Sequence, residues 1–426
     1  MSDTVSGEAS DEVTEWLAGR AIPLDGREPG SGTAGLRPLR DVLDGVRVVG
    51  LGEATHGSAE FFQLRWRVTE FLIRELGFTT LAIEASAAAA RAVDDYVRDG
   101  TGDPREALAG LGFWTLDTAE MLTVIERLRE HNRTAGHRVR FAGIDPQHPA
   151  AALRALRSCL DGDAAELLAP LGELTQWRWN EPWDRRREPP DRRAEEAARR
   201  LEEHVAAHGP EEAREPARIV RQFAELSTRP LRHADPEQTL GFARDRHMAE
   251  NVNHLLAAEP GSRIALWAHN GHIMKDKQGG HGYGAVPTMG RHLAAEHGAA
   301  YYALGTLFGA GGFRARRSRF GRLVRSGRPS RFSVPLVRAP RFVEARLAAA
   351  RPGDYLVDLR GGDRTETVAG WLAATNHVRG FGSVAGRFAA KFTFTPAVLA
   401  EQFDGLAFVR HATCSTPLPP LPSRAT

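Results

Sequence analysis

A short apolar run closed by turn residues recurs seven times in this chain, and it constrains the fold more than any other feature. The runs are VRVVGLG (46–52), TTLAIEA (79–85), VRFAGID (139–145), RIALWAH (263–269), YYALGTLF (301–308), DYLVDL (354–359) and GLAFVR (405–410). Near-continuous apolar runs of this length suit strands covered on both faces. Longer helical patterns separate several of them. Such alternation predicts an α/β class fold, a mainly parallel sheet core flanked by helices.

The rhythm breaks between residues 151 and 255. That segment is rich in Ala, Arg, Glu and Leu, as in AEEAARRLEEHVAAH, and shows no strand pattern. It reads as a helical insertion or cap, with residues 13–150 and 256–414 forming the core. Within it, QWRWNEPWDRRREPP places Trp177, Trp179 and Trp183 beside Arg185, Arg186 and Arg187. Neighbouring acids cancel this charge, so a helix–helix turn with a basic rim is expected rather than a base-stacking patch. The Gly-rich QGGHGYGAVP (278–287) reads as a mobile loop. Residues 1–12 and the Pro-rich tail 415–426 are expected to be disordered.

Composition narrows the partners. A formal net charge of +2 over 426 residues gives no field directed at nucleic acid or a membrane. No apolar run reaches the roughly 18 residues of a membrane span, and the N-terminus lacks a signal pattern. A cytoplasmic protein is therefore expected. Cys159 and Cys414 support neither a disulfide framework nor a thiolate metal site.

Four of the runs stand out for the acid or imidazole at or just beyond their carboxyl end. VRVVGLG leads to Glu53 and His56, TTLAIEA carries Glu84, VRFAGID ends in Asp145, and RIALWAH ends in His269 with His272 close behind. In open α/β sheets, ligands bind outside the carboxyl ends of the strands. One such residue is commonly a helix cap; four predict a shared site. The helix after Glu53 adds an independent signal. Ser58 suits its N-cap, and Phe61, Leu64, Val68, Leu72 and Leu76 recur at helical spacing. At about 100° per residue, Arg65 falls inside that apolar stripe. A buried guanidinium needs a carboxylate or an anion. Arg65 therefore pairs with Glu53 or Glu84, faces a developing oxyanion, or does both.

A neutral imidazole can take a proton from water and return it, and a neighbouring carboxylate orients the ring. This set suits water-mediated acyl hydrolysis without a protein nucleophile. No G-x-S-x-G elbow is present, and neither cysteine has a His in a suggestive context. GLGEAT begins like a dinucleotide fingerprint, but Thr55 stands where the third glycine belongs. A Zn²⁺ or Mn²⁺ site built on His269 and His272 is the other competitor, and spacing alone leaves it open.

The motifs GLGEATHGSAEFFQLR, LAIEAS, GFWTLDTAEMLTVIERLREHN, FAGIDPQ, RDRHMAENV, WAHNGHI and MGRHL…GTLFG together resemble the erythromycin esterase family. The resemblance runs from about residue 14 to 410 and includes the opening segment EWLAGRAIPLD. It implies an α/β core with a helical insertion and hydrolysis of a macrolide lactone, with no metal and no cofactor. It places the general base on His56, the supporting glutamates on Glu53 and Glu84, the arginine on Arg65 and the later histidine on His269. Asp145, His272 and Trp114 of GFWTLD are expected to meet a bulky, mostly apolar small-molecule substrate. One departure stands out. The family often has an Asp and an aromatic residue after Glu84, where this chain has SAAAA, a change expected to widen or smooth one wall. A non-hydrolytic tailoring reaction (elimination, cyclisation or ring opening) and a non-catalytic binding role remain alternatives.

Overall fold

The structure, a computed structural model, describes residues 3–26, 30–176, 192–278, 285–319, 322–323, 328–386 and 389–422. All seven apolar runs form strands. They are β1 Val48–Leu51, β2 Thr80–Ser86, β3 Arg140–Asp145, β4 Ile264–Trp267, β5 Tyr301–Arg319, β6 Tyr355–Asp358 and β7 Gly405–Ala412. They lie in one sheet in the order β6-β7-β5-β1-β4-β2-β3. From β7 to β3 every pairing is parallel. β6 runs antiparallel to β7, and Ile22–Pro23 pairs antiparallel with β6 at the edge. Beyond Ala310, β5 also pairs antiparallel with Ser330–Val334.

The period-2 alternation of the strands divides the core into two layers. Val49, Leu51, Leu81, Ile83, Ala265 and Trp267 face one layer, which holds Phe61, Leu64, Val68 and Leu72 of helix Ala59–Leu76. Val48, Ala82, Ile264 and Leu266 face the other, with Val13 and Leu17 of helix Asp3–Arg20. The helix Ala59–Leu76 begins after Ser58, as expected, but the Ser58 hydroxyl makes no cap bond. It donates instead to the Gly312 carbonyl at 3.3 Å. Gly77 ends the helix in the left-handed conformation, φ 69°, which glycine adopts without a Cβ clash.

No strand forms among the described residues of 151–255. Helices Ala150–Cys159, Arg192–His208 and Glu211–Thr228 share their own apolar cluster, built on Leu153, Leu156, Leu201, Val220 and Phe223. The next helix, Leu240–Ala258, does not join it. Met248, Val252, Leu255 and Leu256 pack against the sheet, so the helical unit ends before residue 240 rather than at 255. Both termini also differ from expectation. The first helix starts at Asp3, inside the stretch expected to be disordered. The start of the Pro-rich tail is docked by its backbone. Ser415 N–H donates to Gly57 O at 2.9 Å, Ala119 N–H to Thr416 O at 2.8 Å, and Leu418 N–H to Asp117 O at 3.2 Å. Proline content left enough N–H groups there to pair. The Trp177–Trp183 and Arg185–Arg187 segment lies outside the described residues, as does the centre of the Gly-rich loop, 279–284.

Candidate active site

Strands β1, β4, β2 and β3 are neighbours, so the sheet brings their carboxyl ends side by side. Glu53, His269, Glu84 and Asp145 follow or occupy those four ends. Backbone geometry sharpens the placement. β2 and β3 shift register between Ile83 and Ser86, an irregularity that turns Glu84 out of the ladder. Asn270 locks two strand ends together: its N–H donates to Glu53 O at 2.9 Å, and its amide exchanges bonds with the Thr306 backbone. A Cβ on Gly52 would sit 2.1 Å from the Asn270 amide oxygen, so this approach requires glycine.

Glu53 and His56 form a dyad. His56 Nδ1 lies 2.8 Å from Glu53 Oε1, and Arg65 Nη2 lies 2.8 Å from Glu53 Oε2. Arg65 is 3% exposed and stacks over the Phe62 and Trp267 rings. It is the buried arginine expected from the helical wheel, and Glu53 is its partner. Burial alone would raise the Glu53 carboxyl; Arg65 and His56 outweigh it and hold it below the usual carboxylate range. An ionised Glu53 accepts from Nδ1–H. The lone pair of His56 therefore sits on Nε2, which has no protein partner among the described residues.

The His269 ring lies 5.1 Å from that of His56, centroid to centroid. Its Nδ1 accepts from Gly271 N–H at 3.1 Å, which leaves the proton on Nε2, 3.2 Å from the Phe381 carbonyl. Burial and the neighbouring His56 push its pKa down to about 4. His269 is thus a neutral ring with both nitrogens engaged by backbone groups.

A second cluster adjoins the first. Arg244 Nη2 lies 2.7 Å from Glu84 Oε1 and 2.6 Å from Asp145 Oδ2. Glu84 Oε2 accepts from His269 N–H at 2.9 Å. His272 Nδ1 lies 2.8 Å from Asp245 Oδ1, and its Nε2 lies 3.5 Å from Glu84 Oε1. Burial works against a charged His272, but Asp245 and Glu84 outweigh it and raise its pKa. Burial likewise opposes ionisation of Glu84, yet His272 and Arg244 drive its pKa far below the usual range.

The structure thus brings Glu53, His56, Arg65, Glu84, Asp145, His269 and His272 together. Asp145 is fully buried, and its oxygens are taken by Gln147 and Arg244. Trp114 does not join the cluster; it is half-buried against the Arg314 guanidinium, 5.5 Å from the ring centroid. Arg244 and Asp245 are the residues that sequence reasoning missed. Asp245 lies on the apolar stripe of Met248, Val252 and Leu256, the signal that had revealed Arg65. The small residues after Glu84 have a packing role: Ala87 and Ala88 seat the helical unit. Among the described residues, no three His, Cys, Asp or Glu side chains converge to hold a metal ion.

A family model described as erythromycin esterase matches residues 73–412. The chain belongs to the erythromycin esterase family. Erythromycin esterase type II of Escherichia coli is 33% identical over 132 residues, a stretch covering 31% of this chain and 31% of that protein. The fold resembles that of a solved succinoglycan biosynthesis protein at 20% identity, with a TM-score of 0.77 and coverage of 98% of this chain and 100% of the other. It also resembles a solved erythromycin esterase mutant in its open conformation. There the identity is 17%, the TM-score 0.65, and the coverage 89% and 94%.

Proposed function

We propose that the protein hydrolyses an ester or macrolactone in a bulky, mostly apolar natural product, without a metal, using His56 as general base. The observation that carries this reading is the Glu53–His56 dyad, oriented through Nδ1 and open at Nε2. Membership of the erythromycin esterase family supplies the bond type. His56 Nε2 takes a proton from water while the oxygen attacks the carbonyl carbon. The tetrahedral intermediate then collapses, the ester C–O bond breaks, and the imidazolium returns the proton to the departing alkoxide. Four carboxylates (Glu53, Glu84, Asp145 and Asp245) share this network with two guanidinium groups (Arg65 and Arg244) and with His272, whose pKa is raised.

The test is mass spectrometry of a macrolide panel incubated with the protein. A product heavier by one water supports hydrolysis. Loss or rearrangement of atoms would move the reading to a tailoring reaction, and an unchanged but bound ligand to sequestration. Dialysis against EDTA is expected to leave turnover intact. Loss of activity restored by Zn²⁺ or Mn²⁺ would overturn the metal-free mechanism.

A further inference from the structure

His269 is held at its outer nitrogen by a peptide rather than a side chain, and the origin of that peptide's rigidity lies further away. Phe381 N–H donates to Ala54 O at 2.6 Å, and Phe381 O faces His269 Nε2 at 3.2 Å. One peptide unit on each side of Phe381 thus bridges the loop carrying Glu53 and the ring of His269. The Phe381 ring stacks on Phe313, with centroids 4.5 Å apart. Two residues upstream, Arg379 is 1% exposed and donates to Gly309 O at 2.8 Å and Pro335 O at 2.6 Å. Its N–H is taken at 2.6 Å by Glu344 Oε1.

Glu344 is fully buried at the start of helix Val343–Ala350, and its Oε2 has no partner among the described residues. Burial pushes its carboxyl up to about 7, against the pull of the Arg379 N–H and guanidinium. A buried carboxyl with an open oxygen is costly to keep, and a hydrophobic residue would serve packing better. The hydrogen bond to Arg379 gives it a reason to be there.

We propose that Glu344 is a positioning residue for the site: it fixes the strap 379–381, and the strap holds the Nε2–H end of the His269 ring beside His56. Any consequence for turnover rests on the hydrolytic reading above; the positioning itself does not. Without the strap's carbonyl, Nε2–H loses its acceptor and the ring keeps only the Gly271 N–H bond at Nδ1. A positional error of this kind in a catalytic cluster typically costs between ten- and about a hundredfold in rate.

The experiment uses the full chain labelled with ¹⁵N-histidine, with the His269 Nε2–H resonance assigned by its loss in His269→Gln. Wild type and Glu344→Gln, which keeps an acceptor for Arg379 N–H, are expected to show this signal. Glu344→Leu is expected to lose it while remaining folded by circular dichroism. Glu344→Asp, whose carboxylate is drawn back from Arg379, serves if the Leu variant does not fold, and is expected to lose it too. If hydrolysis is detected in the wild type, kcat in the signal-less variant falls at least about tenfold with KM little changed, and Gln rescues it. A folded Leu or Asp variant with the wild-type His269 signal overturns the proposal. Lost signal with no hydrolysis by the wild type supports the positioning and removes only the functional reading.

Discussion

Replacing Arg244 with methionine tests the charge balance of the site. Arg244 is 11% exposed, and its partners Glu84 and Asp145 are 13% and 0% exposed. Removing the cation leaves two carboxylates within one enclosed space, with His272 3.5 Å from Glu84. Breaking a buried pair by deleting one partner costs about 3–5 kcal/mol, because the remaining charge is uncompensated. The loss should depend on pH. In the wild type the depressed pKa of Glu84 contributes stability that is present above its unfolded value and lost as pH falls through the folded value. In Arg244→Met that contribution shrinks, and protonation instead relieves the unpaired carboxylates. The penalty should therefore be largest at neutral pH and smaller near about pH 5. Urea unfolding followed by circular dichroism at both pH values measures it. Arg199→Ala is the control: its pair with Glu203 is 56% and 62% exposed, and it should cost no more than about 0.5 kcal/mol. A penalty for Arg244→Met below about 1 kcal/mol at neutral pH would refute the account of a charge-balanced buried cluster.

Two further outcomes follow from the geometry. A Cβ at Gly57 would lie 2.1 Å from the Arg314 carbonyl oxygen and 2.5 Å from its nitrogen, so Gly57→Ala must push strand β5 away from the His56 loop. It should cost about 1–3 kcal/mol in urea unfolding, and a neutral result would contradict the close approach. His269 should govern part of the acid response. Its folded pKa, about 4, lies below the unfolded value, so the unfolded chain binds more protons between the two and stability falls on acidification through that window. His269→Gln should flatten the dependence of unfolding free energy on pH there; an unchanged slope would refute the neutral, backbone-locked ring.

The sheet was legible because strands covered on both faces must be apolar throughout, and the seven runs are. Strand direction was not, since β6 reads like its parallel neighbours although it runs the other way. At the site, Glu53, Glu84, Asp145 and His269 were visible because each ends a strand, and Arg65 because a charge interrupts an apolar helical stripe. Asp245 interrupts such a stripe as well, but its helix was read as part of the insertion, where a charge raises no question. The strap at Phe381 left no trace in the sequence. It acts through peptide groups that every residue carries, and so does the docked tail at Thr416 and Leu418.

The central claim is that His56 is the base that activates water. The most direct measurement is single-turnover hydrolysis of a macrolide ester by His56→Asn, with its Tm recorded alongside that of the wild type. His56→Asn should keep the wild-type Tm and hydrolyse at a rate lower by at least about two orders of magnitude, the scale of a lost general base. Hydrolysis at the wild-type rate by a folded His56→Asn protein would contradict it.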